Sequence, residues 1–148
     1  MGKIRIIIKG AAGGVICGII CFALILAMVT AFREGPGAGL AVLVVSPLYF
    51  FLYIIAFFNT LLPAGLITGI AAGLGEAYLP KRLSLSFASL SGIGSGFFFG
   101  IRFTEMFLES RNTKIDLIVG AITAGIFLAA GAVLICVILR RTTVKNNR

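Results

Sequence analysis

The chain of 148 residues contains no histidine and no tryptophan, and only five acidic residues. Without histidine it lacks the commonest general base and the commonest metal ligand. Its cysteines, Cys17, Cys21 and Cys136, all lie inside apolar runs. That placement argues against a disulfide framework and against a clustered zinc set. Cys17 and Cys21 share a helix face at i,i+4 and read as packing residues. No apolar span carries two acids. The Gly-Ile-Gly-Ser-Gly segment at 92–96 has neither a preceding strand nor a following lysine, so it does not read as a phosphate loop. Catalysis, a cofactor and nucleic-acid binding are therefore not expected.

Apolar residues, by contrast, are abundant. They make up 59% of the chain, charged residues 12%, and the mean hydropathy is +1.12. A water-soluble domain of this size could not hide so much apolar surface, so the expected solvent is lipid. A bilayer core of about 30 Å requires roughly 20 apolar residues per helix. The apolar runs predict an all-α integral membrane protein, a bundle of four transmembrane helices at about 10–32, 47–75, 83–101 and 115–139. Basic tails at 1–9 and 140–148 flank them in a single domain. Val29-Thr30-Ala31 loosely fits a signal-peptidase site, but the run before it is long for a signal sequence.

Residues 40–79 allow a second count. One helix of that length would reach about 60 Å, twice the hydrocarbon core. The four-helix reading places 40–46 at the outer interface and carries the second helix through Pro47, since membrane helices tolerate proline. A five-helix alternative splits the segment near Asn59 to Pro63. Lysine and arginine concentrate on the cytoplasmic side of membrane proteins, and the charge pattern favours four. The net charge of +8 belongs to the two tails and the 79–83 connection, whereas Arg33, Arg102, Arg111 and Lys114 are balanced by acids in their own loops. An even number of crossings puts both termini in the cytoplasm, in a bacterial inner membrane.

Small residues recur every four positions in each proposed helix: Gly10, Gly14 and Gly18; Gly65, Gly69 and Gly73; Gly92, Gly96 and Gly100; and Ala121, Gly125 and Ala129. In lipid, hydrophobicity does not drive helices together. Close backbone contact does, and small residues at i,i+4 open a groove for it. These positions are the expected helix-packing sites, a glycine zipper. The third helix places its serines and glycines on one half of the wheel and its bulky apolar residues on the other. Ser84, Ser91 and Ser95 are thus candidates for a polar path. Glu76 is expected at the headgroups, paired with Lys81 or Arg82. Residues 101–110 read as an amphipathic helix on the outer interface, with Phe103, Met106 and Phe107 as its apolar stripe.

Two functional expectations follow. In the first, the chain is a non-catalytic accessory or assembly subunit whose glycine faces bind other transmembrane helices, in a partner or in a second copy. In the alternative, it is a small transporter or channel, with the serine and glycine face of the third helix lining a solute path.

Overall fold

A computed structural model describes residues 2–52, 54–107 and 114–145. Apart from Gly35, Thr60, Leu79 and Pro80, the described residues are helical, and none of them forms a strand. Among the described residues six helices follow in order: α1 (Gly2–Glu34), α2 (Pro36–Leu52), α3 (Ile54–Asn59), α4 (Leu61–Tyr78), α5 (Lys81–Phe107) and α6 (Lys114–Lys145). Four segments are long and apolar enough to cross a membrane: Gly2–Glu34, Ile54–Tyr78, Lys81–Met106 and Lys114–Thr142.

The helices extend beyond the apolar runs. The basic residues before Gly10 are already helical in α1, and α6 continues through Arg140 and Arg141. Gly35 ends α1 with a left-handed φ of 101°, a conformation that glycine adopts without steric cost. Leu79 is extended ahead of Pro80, as a residue before proline prefers, and this makes the sharp corner between α4 and α5.

The 40–79 segment differs from expectation. A continuous helix over 47–75 does not form, and its residues are shared among α2, α3 and α4. Residues 40–46 are helical, part of α2, which lies along α1, where a Cβ added to Gly39 would sit 2.6 Å from Ala31 Cβ. Pro47 stays inside α2 because the hydroxyl of Ser46 donates to the Leu43 carbonyl at 2.8 Å, replacing the N–H that proline lacks. Thr60 leaves helical geometry at φ −128°, ψ −75°. Pro63 then falls in the first turn of α4, where no intrahelical donor is required.

Two antiparallel helix pairs bring their backbones together. In the first, Gly10, Gly14 and Gly18 of α1 face Gly69, Gly65 and Leu61 of α4. A Cβ on Gly10 would lie 2.5 Å from the Gly69 carbonyl oxygen and one on Gly18 2.8 Å from that of Leu61, while Gly14 and Gly65 oppose each other's carbonyls. In the second, Gly92, Gly96 and Gly100 of α5 face Leu128, Ala124 and Gly120 of α6, where an added Cβ would lie 2.7, 2.5 and 2.9 Å from their carbonyl oxygens. Each step of four along one helix matches a step of four back along its partner. Such contacts maximise dispersion and bring Cα–H groups to facing carbonyls.

Large side chains fill the far end, opposite the termini. There Phe22 packs edge-on against Phe57 and Phe103, at centroid distances of 6.0 and 5.5 Å. Phe103 is fully buried. The expected amphipathic surface helix at 101–110 is therefore corrected: residues 101–107 continue α5, and one member of the apolar stripe is a core residue. Met106 is exposed, and 108–110 lie outside the described residues.

Candidate functional site

Polar side chains gather between the two pairs at three levels along the bundle. At the far end, Arg33 closes α1 and Asp116 sits in the first turn of α6. Arg33 Nη2 donates to Asp116 Oδ2 at 2.5 Å and Nε reaches both carboxylate oxygens at 3.2 Å. The Asp116 side chain is only 4% exposed, against 33% for Arg33, so the acid is held inside while the guanidinium reaches outward.

At mid-depth, Thr68 of α4 meets Ser95 of α5, with the two hydroxyl oxygens 2.9 Å apart. Thr68 also reaches the Ala64 carbonyl at 2.8 Å and Ser95 the Ser91 carbonyl at 2.7 Å. With a longer approach of Ser95 to the Gly92 carbonyl at 3.5 Å, two hydroxyl protons serve four contacts, so not all can carry a proton at once. The pair can change donors without moving a helix.

At the tail end, Arg140 of α6 grips Glu76 of α4. Its Nε lies 3.0 and 2.9 Å from the two carboxylate oxygens, and Nη2 donates to Oε1 at 2.7 Å and to the Lys81 carbonyl at 2.6 Å. Ser84 of α5 donates to the same carboxylate, and its oxygen lies 3.9 Å from Cys136 Sγ. The Glu76 side chain is 9% exposed. The expected pairing of Glu76 with Lys81 or Arg82 is corrected. Both of those side chains are exposed on α5 beyond the Pro80 corner, and antiparallel packing delivers Arg140 instead.

No family model matches the chain. No curated protein and no solved structure matches it either.

The expected serine path is divided. Ser84 serves the tail-end ion pair, Ser95 the mid-depth hydroxyl pair, and Ser91 is half-buried and offers its carbonyl. Ser84 and Ser95 lie about 16 Å apart along α5. Burial divides α5 by face: Ala88, Gly92, Gly96 and Gly100 are buried, and Leu90, Ile93, Phe97 and Phe98 are exposed. Of the twelve expected packing positions, Gly73 lies against Ile7, and Ala121 and Ala129 lie opposite Gly100 and Gly92. Gly125 is the loosest, since an added Cβ there would stand 3.6 Å from the Ile93 carbonyl oxygen, an ordinary contact. It opens onto an apolar groove of about 410 Å³, with Ile93, Phe97 and Ile126 among its other lining residues.

Two features escaped sequence reasoning: the Arg33–Asp116 pair and the role of Arg140. A signal existed for both. Asp116 lies inside the final apolar run and Glu76 directly follows the second, and an acid in that position needs a cation from another helix.

Proposed function

We propose that the chain is a small transporter or channel for uncharged, hydrogen-bonding solutes in a bacterial cytoplasmic membrane, with both basic termini on the cytoplasmic side. In this reading, α1 with α4 and α5 with α6 are two bodies, each closed internally by a glycine-zipper seam, and solute passes between them. One observation carries it: both buried ion pairs and the mid-depth hydroxyl pair join one helix pair to the other, whereas inside the α5–α6 pair the polar contacts described are Arg140 with the Lys81 carbonyl and the 3.9 Å approach of Ser84 to Cys136, both at the tail end. A seam of facing backbones has no side chain to rearrange, whereas ion pairs and hydroxyls can exchange partners. Rocking of one helix bundle against another about a mid-membrane site is a general route for solutes. The mid-depth groups are hydroxyls and not charges, which suits neutral solutes.

The test is swelling of proteoliposomes in glycerol or urea. Wild type should admit these solutes faster than protein-free vesicles. Ser95→Ala, which keeps the packing, should slow entry. If wild-type vesicles swell no faster than the lipid alone, the transport reading fails.

A second reading is an accessory or assembly subunit that packs against other transmembrane helices, its own or a partner's. It is favoured by the groove over Gly125, floored by the small residues Ala121, Gly125 and Ala129, which leaves room for an apolar segment. No flux, together with migration at a fixed ratio to another membrane protein on native gels, would support this reading over the first.

A further inference from the structure

Cations and acids are unequally divided between the two ends of the bundle. The packing brings three separate chain segments to the tail end: the start of α1, the α4–α5 corner and the end of α6. A Cβ on Gly73 would lie 2.8 Å from Ile7 Cα, Lys3 Nζ sits 4.3 Å above the Tyr78 ring, and Arg140 reaches the Lys81 carbonyl. Lys3, Arg5, Lys9, Lys81, Arg82 and Arg141 are all exposed there. Glu76 is the only acid at this end among the described residues, and Arg140 holds it. At the far end the described acids Glu34, Glu105 and Asp116 stand among Arg33, Arg102 and Lys114, with Arg33 paired to Asp116 and Arg102 3.9 Å from Glu105.

The surroundings of these cations indicate what covers them. Ile4, Ile8, Tyr78 and Leu83 are 66, 62, 63 and 58% exposed and alternate with Lys3, Arg5, Lys9 and Arg82 along the same turns. Lys9 immediately precedes Gly10, which is already packed against α4. Cations interleaved with large apolar side chains at the ends of membrane-crossing helices suit a surface that is anionic above and hydrocarbon below. Long basic side chains can lay their stems on the acyl region and their charges among phosphates. An acidic soluble protein would cover the charges and leave the isoleucines and Leu83 unmatched.

We propose that the tail end is a docking surface for the headgroups of anionic phospholipids. It collects them in a belt around α1, the α4–α5 corner and α6, and this holds whichever functional reading is correct. The experiment uses the full chain purified in neutral detergent, titrated with phosphatidylglycerol or phosphatidylcholine, with bound lipid read by native mass spectrometry. Wild type should retain phosphatidylglycerol with roughly tenfold or greater preference. That preference should shrink in about 0.5 M salt, where the screening length falls to roughly 4 Å. Replacing Lys3, Lys9, Lys81 and Arg82 together by glutamine should abolish it with helical content kept, whereas Arg102→Gln with Lys114→Gln should leave it intact. Equal retention of the two lipids by wild type, a preference insensitive to salt, or a preference that survives the fourfold change would overturn the proposal.

Discussion

Gly14 and Gly94 are both helical glycines in apolar surroundings, and their neighbourhoods are opposite. A methyl group on Gly14 would run into the Gly65 carbonyl, a backbone atom that cannot swing aside. Around Gly94 nothing lies within 4 Å. Gly14→Ala should therefore push α1 from α4 and cost about 1–3 kcal/mol, the usual penalty of overpacking. Gly94→Ala should be neutral or stabilise by up to about 1 kcal/mol through helix propensity. Gly125→Ala should resemble Gly94→Ala, because its nearest contact is an ordinary one. Thermal unfolding of the three variants in one detergent checks the order, and equal losses at all three would refute the seam geometry.

At the scale of elements, α6 is tied at both ends, to α1 through Asp116 and to α4 through Arg140. The two partners of the tail-end pair are not equivalent. Arg140 is 26% exposed on its side chain and can turn toward the headgroups when Glu76 is neutralised, but Glu76 at 9% cannot follow. Arg140→Ala should thus cost more than Glu76→Gln, about 3 kcal/mol for a carboxylate left without its cation. The double variant should recover most of that loss, since no unmatched charge remains. A double-mutant cycle measures it, and additive losses would show that the pair is not coupled.

For the whole molecule, the decisive distinction is between contacts made by backbone and contacts made by side-chain ends. Within the α1–α4 and α5–α6 pairs, most glycines meet carbonyls and Cα atoms; Gly120, which faces the Thr104 side chain, and Gly100, which also faces the Ala124 methyl, are the exceptions. Between α1 and α6, Gly13 meets the side chain of Ile135, and Gly131 meets that of Cys17. Side-chain ends can yield by rotamer change, whereas facing backbones cannot. Spin labels on exposed Ile20 and Ile67 report the first pair, and labels on Ile20 and Leu134 report the joint between pairs. With Arg33 and Arg140 both changed to glutamine, the second distance should shift or broaden while the first stays narrow. An equal response of both distances would mean a single rigid body.

Much of this architecture is local information and could be read from residue order. Long uncharged runs dictate helices of spanning length, because lipid leaves backbone groups no other partner. The period of α5 likewise marked its small face, with Ser84, Gly92 and Gly96 on one side and Ile93 and Phe97 on the other. What residue order could not supply is which element faces which. The break at Thr60 in the 40–79 segment and the seating of α2 on α1 at Gly39 are matters of tertiary geometry. Phe103 reads as a surface residue until Phe22 and Phe57 arrive beside it. Glu76 has Lys81 and Arg82 close by in sequence, yet the Pro80 corner carries them outward while α6 returns Arg140 from 64 positions away. Composition and period by themselves determined an all-helical chain with four helices long and apolar enough to cross a membrane, though not the bounds of the second. Only the tertiary structure decided the two seams and the three polar levels, because spacing of four residues makes a groove on any helix and says nothing about what fills it.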